Sequence, residues 1–101
     1  MFYIYILFSV YSNQYYVGYT RHVEQRLRQH NFTSADSFTA KHRPWMLKAV
    51  FAAGSQEDQA IRMERFIKKQ KSRHFIERLI DQSFIPDRNL AQLVRVPHLR
   101  D

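Results

Sequence analysis

One carboxylate stands alone among cations in the second half of this sequence. Between Gln59 and Ile76, Glu64 is the only acidic residue. The lysines and arginines of the same stretch are Arg62, Arg65, Lys68, Lys69, Lys71 and Arg73. Carboxylate oxygen suits Mg²⁺, which proteins commonly bind through one or two carboxylates together with substrate phosphate. The alternative is an ordinary surface glutamate paired with Lys68 at i+4, so both interpretations stay open.

Helical periodicity predicts where Glu64 points. At about 100° per residue, an apolar arc forms that faces the rest of the protein. Its members are Ala60, Met63, Phe66 and Ile67. Glu64 falls beside Ala60 at the edge of this arc, whereas Arg62, Arg65 and Lys69 point to the opposite side. We therefore expect Glu64 to face toward the sheet.

Arg26 and His30 form a second pair of interest. They are four residues apart, so a helix would place both on one flank, next to the inward stripe of Val23 and Leu27. The structural alternative is that Arg26 pairs with a surface acid and His30 stabilises the C-terminus of its helix, where a cation is favoured. Taken alone, this pair does not indicate a function.

Tyrosine is concentrated at the start of the chain. All six tyrosines lie within the first nineteen residues, namely Tyr3, Tyr5, Tyr11, Tyr15, Tyr16 and Tyr19. A buried tyrosine normally needs a partner for its hydroxyl, so this density predicts one face lined with phenols near water or ligand. Strand alternation places Tyr3, Tyr5 and Leu7 on one face and Ile4 and Ile6 on the other.

The elements that must position these residues start with a hairpin. Residues 2–8 and 15–20 are rich in aromatic and β-branched residues, and the polar residues 12–14 between them supply a turn. A short helix follows, with Thr20 as its predicted N-cap and Asn31 as its predicted end.

The remaining chain predicts one more strand and two helices. Residues 31–43 have no sustained periodicity and are interpreted as a loop, followed by a strand over residues 45–52. Ser55 is the predicted start of a helix to about Lys71. Ser72 is the predicted N-cap of a second helix, which ends before Pro86, and a last helical turn is predicted over residues 90–93.

Composition narrows the function classes. A length of 101 residues fits one domain. The 16 Lys+Arg against 9 Asp+Glu give a formal net charge of +7. This surplus points to a polyanionic partner such as nucleic acid or an anionic membrane. The absence of cysteine excludes disulfides, thiolate nucleophiles and sulfur-ligated zinc. The apolar start is too short to span a bilayer and has no basic flank. We expect a cytoplasmic protein without a membrane partner.

Taken in order, these residues resemble a known family. Tyr3-Ile4-Tyr5, Tyr16-Val17-Gly18, Arg26, His30 and Glu64 together resemble the GIY-YIG nuclease domain, in particular its small standalone members related to the nuclease half of the excision-repair endonuclease, the URI type. The resemblance covers about residues 2–81 and includes the looser stretch from Phe38 to Trp45. Tyr3 replaces the leading glycine of the first motif, and Val17 replaces the isoleucine of the second.

The resemblance implies a fold of the α+β (α/β) class, a small three-stranded antiparallel sheet flanked by helices. We expect this GIY-YIG-like nuclease domain over residues 1–83 and a C-terminal tail over residues 84–101. The resemblance also implies five catalytic residues, Tyr5, Tyr16, Arg26, His30 and Glu64. Arg26 would contact the scissile phosphate, His30 would assist, and Glu64 would hold one Mg²⁺ or Mn²⁺ ion. Sequence alone does not choose between Tyr5 and Tyr16 as the proton acceptor.

The expected partner is nucleic acid, DNA rather than RNA, bound by a monomer or weak dimer with a possible protein partner that supplies specificity. Basic residues expected to bind it are Lys41, His42, Arg43, Arg62, Arg65, Lys68 and Lys69. The expected activity is metal-dependent phosphodiester hydrolysis, with structured or damaged DNA in repair or recombination as the expected substrate. The alternative is a non-catalytic binding module that uses the same basic surface. A lone acid among phosphate-binding lysines favours the nuclease, because binding alone gains nothing from it.

Overall fold

The computed structural model of this chain describes residues 1–33 and 37–97. Its centre is an antiparallel sheet with the strand order β2-β1-β3-β4. The strands are β1 Phe2–Ser9, β2 Gln14–Thr20, β3 Met46–Gly54 and β4 Val94–Arg95. The α+β fold with helices around an antiparallel sheet is confirmed. The prediction of three strands is wrong, because a two-residue fourth strand pairs with Phe51 and Ala52 of β3.

The first two strands form the predicted hairpin. Their register places Tyr5 opposite Gly18 and Leu7 opposite Tyr16. The polar turn between the strands includes Asn13, whose φ of 56° lies in the left-handed region that asparagine tolerates better than most residues. Because β1 also pairs with β3, it is the central strand, and β2 forms one edge of the sheet.

The helices follow the strands in order. They are α1 Val23–Arg28, a π-helical turn Gln29–Thr33, α2 Ser37–Lys41, α3 Glu57–Lys69, α4 Arg73–Ile80 and a 3₁₀ turn Arg88–Leu90. Ser72 caps α4 as predicted, since its side chain accepts a hydrogen bond from Phe75 N at 3.0 Å. None of the helices over the described residues is long and apolar enough to cross a membrane.

Several predicted helix boundaries were wrong. Thr20 does not cap α1, because its hydroxyl accepts from the backbone N–H of His22, which is itself the N-cap. The helix does not end at Asn31, since the π-helical turn carries it to Thr33. Part of the predicted loop over residues 31–43 forms α2. Ser55 does not cap α3 either, because α3 begins after Gln56 without a side-chain cap.

The two faces of the sheet pack against different elements. The face that we call the core face buries Ile4 and Ile6 against α3 and α4, through residues such as Met63, Ile67 and Leu79. Burying each of these side chains stabilises the fold by about 1.5–3 kcal/mol. The opposite face, here the site face, is defined by the buried side chains of Tyr5, Leu7 and Trp45, with Val23 and Leu27 of α1 packed against them. Tyr5 and Leu7 thus lie on one face and Ile4 and Ile6 on the other, as predicted.

Residues after position 83 contribute to the core and to the edge of the sheet. Leu90 and Leu93 are buried in the core, and Arg95 donates hydrogen bonds to the carbonyls of Leu79, Asp81 and Phe84. The backbone N–H of Val96 donates to Val50 O at 2.9 Å. The division into a nuclease domain over residues 1–83 and a tail over residues 84–101 stays a prediction.

Candidate active site at the β2 edge

A buried phenol and a buried imidazole meet on the site face. Tyr5 projects from the centre of β1, and the π-helical turn brings His30 inward to it; each residue is 2% exposed. The Tyr5 hydroxyl lies 2.9 Å from His30 Nε2, and the tautomer of the ring decides which group donates. This hydrogen bond fixes the orientation of both rings at a depth where unpaired polar groups are costly.

Gly18 leaves the space that the Tyr5 hydroxyl needs. The two residues are paired across the hairpin, and a Cβ added at Gly18 would lie 2.5 Å from Tyr5 Oη. No real Cβ approaches an atom this closely, so any larger residue must displace the phenol. Glycine is required here for close approach rather than for a positive φ. Sequence reasoning assigned no role to Gly18, because the cross-strand register was unknown.

Tyr16 lies beside this pair, two residues before Gly18 on the same face of β2. Its ring centroid is 5.0 Å from that of His30 and 6.4 Å from that of Tyr5. Lys68 Nζ lies 5.3 Å from the centroid of the Tyr16 ring, within the range of a cation–π interaction. The predicted aromatic lining of this face is therefore present, and it continues into the basic end of α3.

Glu64 projects from α3 toward the same place. Its side chain is 15% exposed, as expected for a residue at the edge of the apolar arc. Lys68 Nζ lies 3.2 Å from Glu64 Oε2, so the i+4 ion pair considered from the sequence is formed. Ion pairs at i,i+4 on a helix contribute little to stability, about 0.3–0.5 kcal/mol. The ion pair orients the carboxylate without removing it from the cavity that it lines.

A cavity of about 500 Å³ joins these groups between α1 and α3. It is lined by Phe2, Tyr5, Tyr16, Gly18, Tyr19, Thr20, Arg21, His22, Arg26, Glu57 and Glu64. Four of the five predicted catalytic residues thus share one cavity, and the fifth, His30, reaches it through its hydrogen bond to Tyr5. Sequence reasoning missed Arg21, His22 and Glu57, whose types and spacing give no signal before the fold is known.

Arg26 contributes an exposed guanidinium to this cavity. Its backbone is fixed in the first turn of α1, where its N–H donates to His22 O at 3.0 Å. Among residues 1–33 and 37–97, no ion pair involves Arg26, so the alternative of a surface acid partner is not realised there. A guanidinium in this position can donate two parallel hydrogen bonds to an anion in the cavity.

Tyr19 and Glu57 form a separate pair at the rim. The Tyr19 hydroxyl donates to Glu57 Oε2 at 3.0 Å, and this hydrogen bond is the main reason that the pKa of Tyr19 is raised above its ordinary value. With its pKa raised, the Tyr19 phenol loses its proton even less readily than an ordinary tyrosine. Tyr19 is therefore a poor proton acceptor, and one oxygen of Glu57 is already engaged.

The predicted nucleic-acid-binding residues fall into two groups. Around α2, Arg43 Nε donates to His30 O at 2.8 Å and His42 Nδ1 lies 2.7 Å from Ser12 Oγ, so both have structural contacts, whereas Lys41 is exposed. On α3, the exposed cations are Arg62, Arg65, Lys68 and Lys69. Of these four, only Lys68 contacts the aromatic site residues, through the ring of Tyr16.

The donor set of this cavity determines which metal it fits. Among the described residues, no group of three or more His, Cys, Asp or Glu side chains could hold an ion. The one predicted ligand is the partly buried carboxylate of Glu64. Mg²⁺ keeps several waters and accepts one or two carboxylates plus substrate phosphate, so it fits this site. A cation that needs a full cage of protein ligands does not.

Comparison with known proteins gives a family for the chain. No curated protein matches it in sequence. The model of the GIY-YIG catalytic domain matches residues 1–77, a range that contains every element of the cavity described above. Nucleases of this family generally depend on a divalent metal ion. The match spans most of the chain, and the protein therefore belongs to the GIY-YIG catalytic domain family, a family of nucleases.

Proposed function

We propose that this protein is an endonuclease that hydrolyses phosphodiester bonds in DNA with the help of one divalent metal ion. The observation that carries the proposal is the shared cavity of Tyr5, Tyr16, Arg26 and Glu64 at the β2 edge. The cavity carries two guanidinium groups, three phenols and two carboxylates, one of which accepts the Tyr19 hydrogen bond. This polar and charged lining suits a phosphodiester better than an apolar ligand. Membership in a nuclease family supports the same reaction class.

Arg26 binds the scissile phosphate in this proposal. During hydrolysis, negative charge accumulates on the non-bridging oxygens while water attacks phosphorus and the bond to the 3′ oxygen breaks. A guanidinium stays protonated at any relevant pH and can hold two of these oxygens at once. Its exposure in the cavity leaves it accessible to substrate. Removing one such donor typically slows a reaction by about 100- to 1000-fold.

Tyr5 and His30 act as the proton-accepting pair. The 2.9 Å hydrogen bond between them lets a proton shift from the phenol to the imidazole as the phenol takes one from water. Tyr16 contacts both rings and borders the cavity, so it orients the pair and the substrate. The raised pKa of Tyr19 argues against the remaining phenol of the cavity wall as the base.

Glu64 holds the metal ion. When bound, a divalent cation supplies positive charge that offsets the charge of the departing oxygen. The carboxylate of Glu64 is 15% exposed and faces the cavity, and its ion pair with Lys68 holds it in this orientation. Lys68 then lies close enough to serve substrate phosphate as well.

The alternative is a module that binds DNA without cleaving it. The basic surface of α3 and the tyrosines of β2 would serve such a module equally well. A carboxylate in the same cavity as the Arg26 guanidinium would not serve it, because the carboxylate repels the phosphates that the guanidinium attracts. The cavity position of Glu64 therefore favours the nuclease.

The test of this proposal is a cleavage assay on a panel of DNAs. Labelled duplex, nicked, branched and single-stranded DNAs are incubated with the protein and Mg²⁺, with EDTA and with the Glu64→Gln variant as controls. We expect cleavage of at least one DNA that needs both Mg²⁺ and Glu64. A structured or damaged DNA as the preferred substrate would support a role in repair or recombination. Salt-sensitive binding without cleavage would establish the binding module instead.

A further inference from the structure

A second cavity adjoins the candidate active site along the β2 edge. Its volume is about 330 Å³, within the size range of small-ligand sites. It is lined by Tyr15, Tyr16, Val17, Phe38, Ile67, Lys68, Lys71, Ser72 and Ile76. Tyr16 borders both cavities, and Lys68 lies over the Tyr16 ring between them. A polymer bound in the first cavity can therefore continue into the second.

The second cavity has an aromatic wall and a basic wall. Phe38 is 39% exposed, and its ring lies 6.2 Å from that of Tyr16 at an interplanar angle of 27°. On the other side, the last turn of α3 carries Lys68, and Lys71 follows just after the helix. The described lining includes no aspartate or glutamate, in contrast to the first cavity. This combination of an aromatic ring with ammonium groups suits a base joined to a phosphate.

We propose that this second cavity binds an unpaired nucleotide of the DNA strand that flanks the scissile phosphate. Its base stacks on Phe38, and its phosphate contacts Lys71 and Lys68. A base inside a duplex is stacked on both sides and paired, so it cannot reach a ring set in a cavity without being flipped out. The subsite rests on the proposed nuclease function and adds to it a substrate class, DNA in which a single strand lies next to the cleaved bond.

Lys71 can be replaced by glycine without an expected loss of stability. Its φ of 49° lies in the left-handed region, where glycine is favoured over residues with a Cβ. Replacing Lys71 by glycine removes the ammonium and relieves the backbone at the same time, so the fold should not lose stability. Arg88, with φ of 53°, has the same backbone state and the same charge but does not line the second cavity. Arg88→Gly is therefore a matched control.

The experiment measures DNA binding by fluorescence anisotropy in EDTA, where no cleavage occurs. Three labelled DNAs are compared, a blunt duplex, the same duplex with a single-stranded extension, and one whose extension is a sugar-phosphate chain without bases. We expect the natural extension to bind best. The salt slope is the fall in the logarithm of the binding constant per unit of the logarithm of salt concentration. For extended DNA, Lys71→Gly should reduce this slope by about 0.7, the value for one phosphate contact on a single strand. Arg88→Gly should leave affinity and slope unchanged.

The ring of Phe38 is tested by two variants. Phe38→Leu keeps an apolar side chain and removes the ring, whereas Phe38→Ala removes the bulk as well. We expect either variant to reduce the preference for extensions with bases on the order of tenfold, as for the loss of one stacked base. Thermal unfolding identifies a variant that has lost its fold, and Phe38→Leu then decides the result.

Three outcomes would overturn the subsite. They are equal wild-type affinity for extensions with and without bases, unchanged extended-DNA binding in Lys71→Gly, and an equal loss in Arg88→Gly. Because the assay measures binding without metal, any of these results leaves the proposed cleavage reaction standing. Conversely, a subsite that binds as expected in a protein that cleaves no DNA would remove the nuclease proposal alone.

Discussion

The two faces of the sheet bury different kinds of groups. On the core face, Ile4, Ile6 and Phe51 are fully buried and apolar, and they need no partners beyond good packing. On the site face, buried side chains carry polar atoms that form hydrogen bonds, such as the Tyr5–His30 hydrogen bond and the bond from Trp45 Nε1 to the carbonyl of Thr39 at 2.9 Å. A sequence under selection for stability alone could use apolar residues on both faces.

The difference matters for function, because a hydrogen-bonded group of the site face, Tyr5, lines the cavity of the candidate active site. Paired polar groups at low exposure hold fixed orientations, because each alternative position leaves a buried atom unsatisfied. The same pattern fixes the entry to β3, where Trp45 N donates to Asn31 Oδ1 at 2.6 Å and Asn31 Nδ2 donates to Trp45 O at 3.1 Å. The two faces meet at the β2 edge, where Glu64 of the core-face helix α3 and Arg26 of the site-face helix α1 line one cavity.

The largest expected effect is a loss of stability on the core face. Phe51 is fully buried, so Phe51→Ala should destabilise the protein by about 3–5 kcal/mol, because apolar burial is reduced and a cavity is left behind. Urea unfolding followed by circular dichroism measures this change. A destabilisation below about 1 kcal/mol would mean that the core face does not carry the stability assigned to it.

Arg26→Ala should slow cleavage strongly and change stability little, the reverse of what we expect for Phe51→Ala. Because Arg26 is exposed, its removal should change the free energy of unfolding by no more than about 0.5 kcal/mol. Loss of its hydrogen bonds to the transition state should lower the single-turnover cleavage rate on the order of 100-fold.

The control for this variant is Arg28→Ala, since Arg28 lies on the same helix but does not line the cavity. Its cleavage rate should stay close to that of the unsubstituted protein. If Arg26→Ala weakened affinity without slowing bound-state cleavage, Arg26 would be a binding residue.

Gly18→Ala tests the close approach of Gly18 to the Tyr5 hydroxyl on the site face. The added methyl group must displace the Tyr5 phenol, which lies 2.5 Å from its position. We expect a destabilisation of about 1–3 kcal/mol, as for other overpacked sites, with a loss of cleavage because Tyr5 leaves its place. The same substitution should cost less in a Tyr5→Leu background, where all three of the nearest atoms, Oη, Cζ and Cε1 of Tyr5, are absent. Equal costs in the two backgrounds would rule out this clash.

A smaller effect is expected for the outer cations of α3. Arg62, Arg65 and Lys69 are exposed and do not line the first cavity, so we expect them to steer DNA rather than to act on the bond. Replacing all three by glutamine should reduce the salt dependence of binding, by about 0.9 in slope for each phosphate that the protein no longer neutralises. The cleavage rate at saturating protein should stay the same. An unaltered salt slope would place the DNA on another surface.

Sequence patterns predicted the elements with strong periodicity. The hairpin, β3, α3 and α4 follow from alternating or helical spacing of apolar residues, and Ser72 marks a cap with a clear local cause. The edge position of Glu64 on α3 follows from the same periodicity, as does the separation of Tyr5 from Ile4 and Ile6.

The missed features depend on interactions between residues distant in sequence. The π-helical turn that buries His30 is fixed by its bond to Tyr5, 25 residues away. The two-residue strand β4 exists because it pairs with β3, and α2 lies in a stretch without an apolar period. The need for Gly18 appears only when the register brings it opposite Tyr5. Such tertiary constraints override local propensity and leave no local signal.

The most direct test of the account is a Mg²⁺ titration of single-turnover DNA cleavage by the unsubstituted protein, Glu64→Gln and Glu57→Gln. Both carboxylates line the cavity, but Glu57 accepts the Tyr19 hydrogen bond at the rim, whereas Glu64 lies beside Lys68 and Tyr16. We expect Mg²⁺-dependent cleavage that is abolished in Glu64→Gln and retained in Glu57→Gln. If Glu64→Gln cleaved DNA at the rate of the unsubstituted protein and with the same Mg²⁺ dependence, Glu64 would not be the metal ligand.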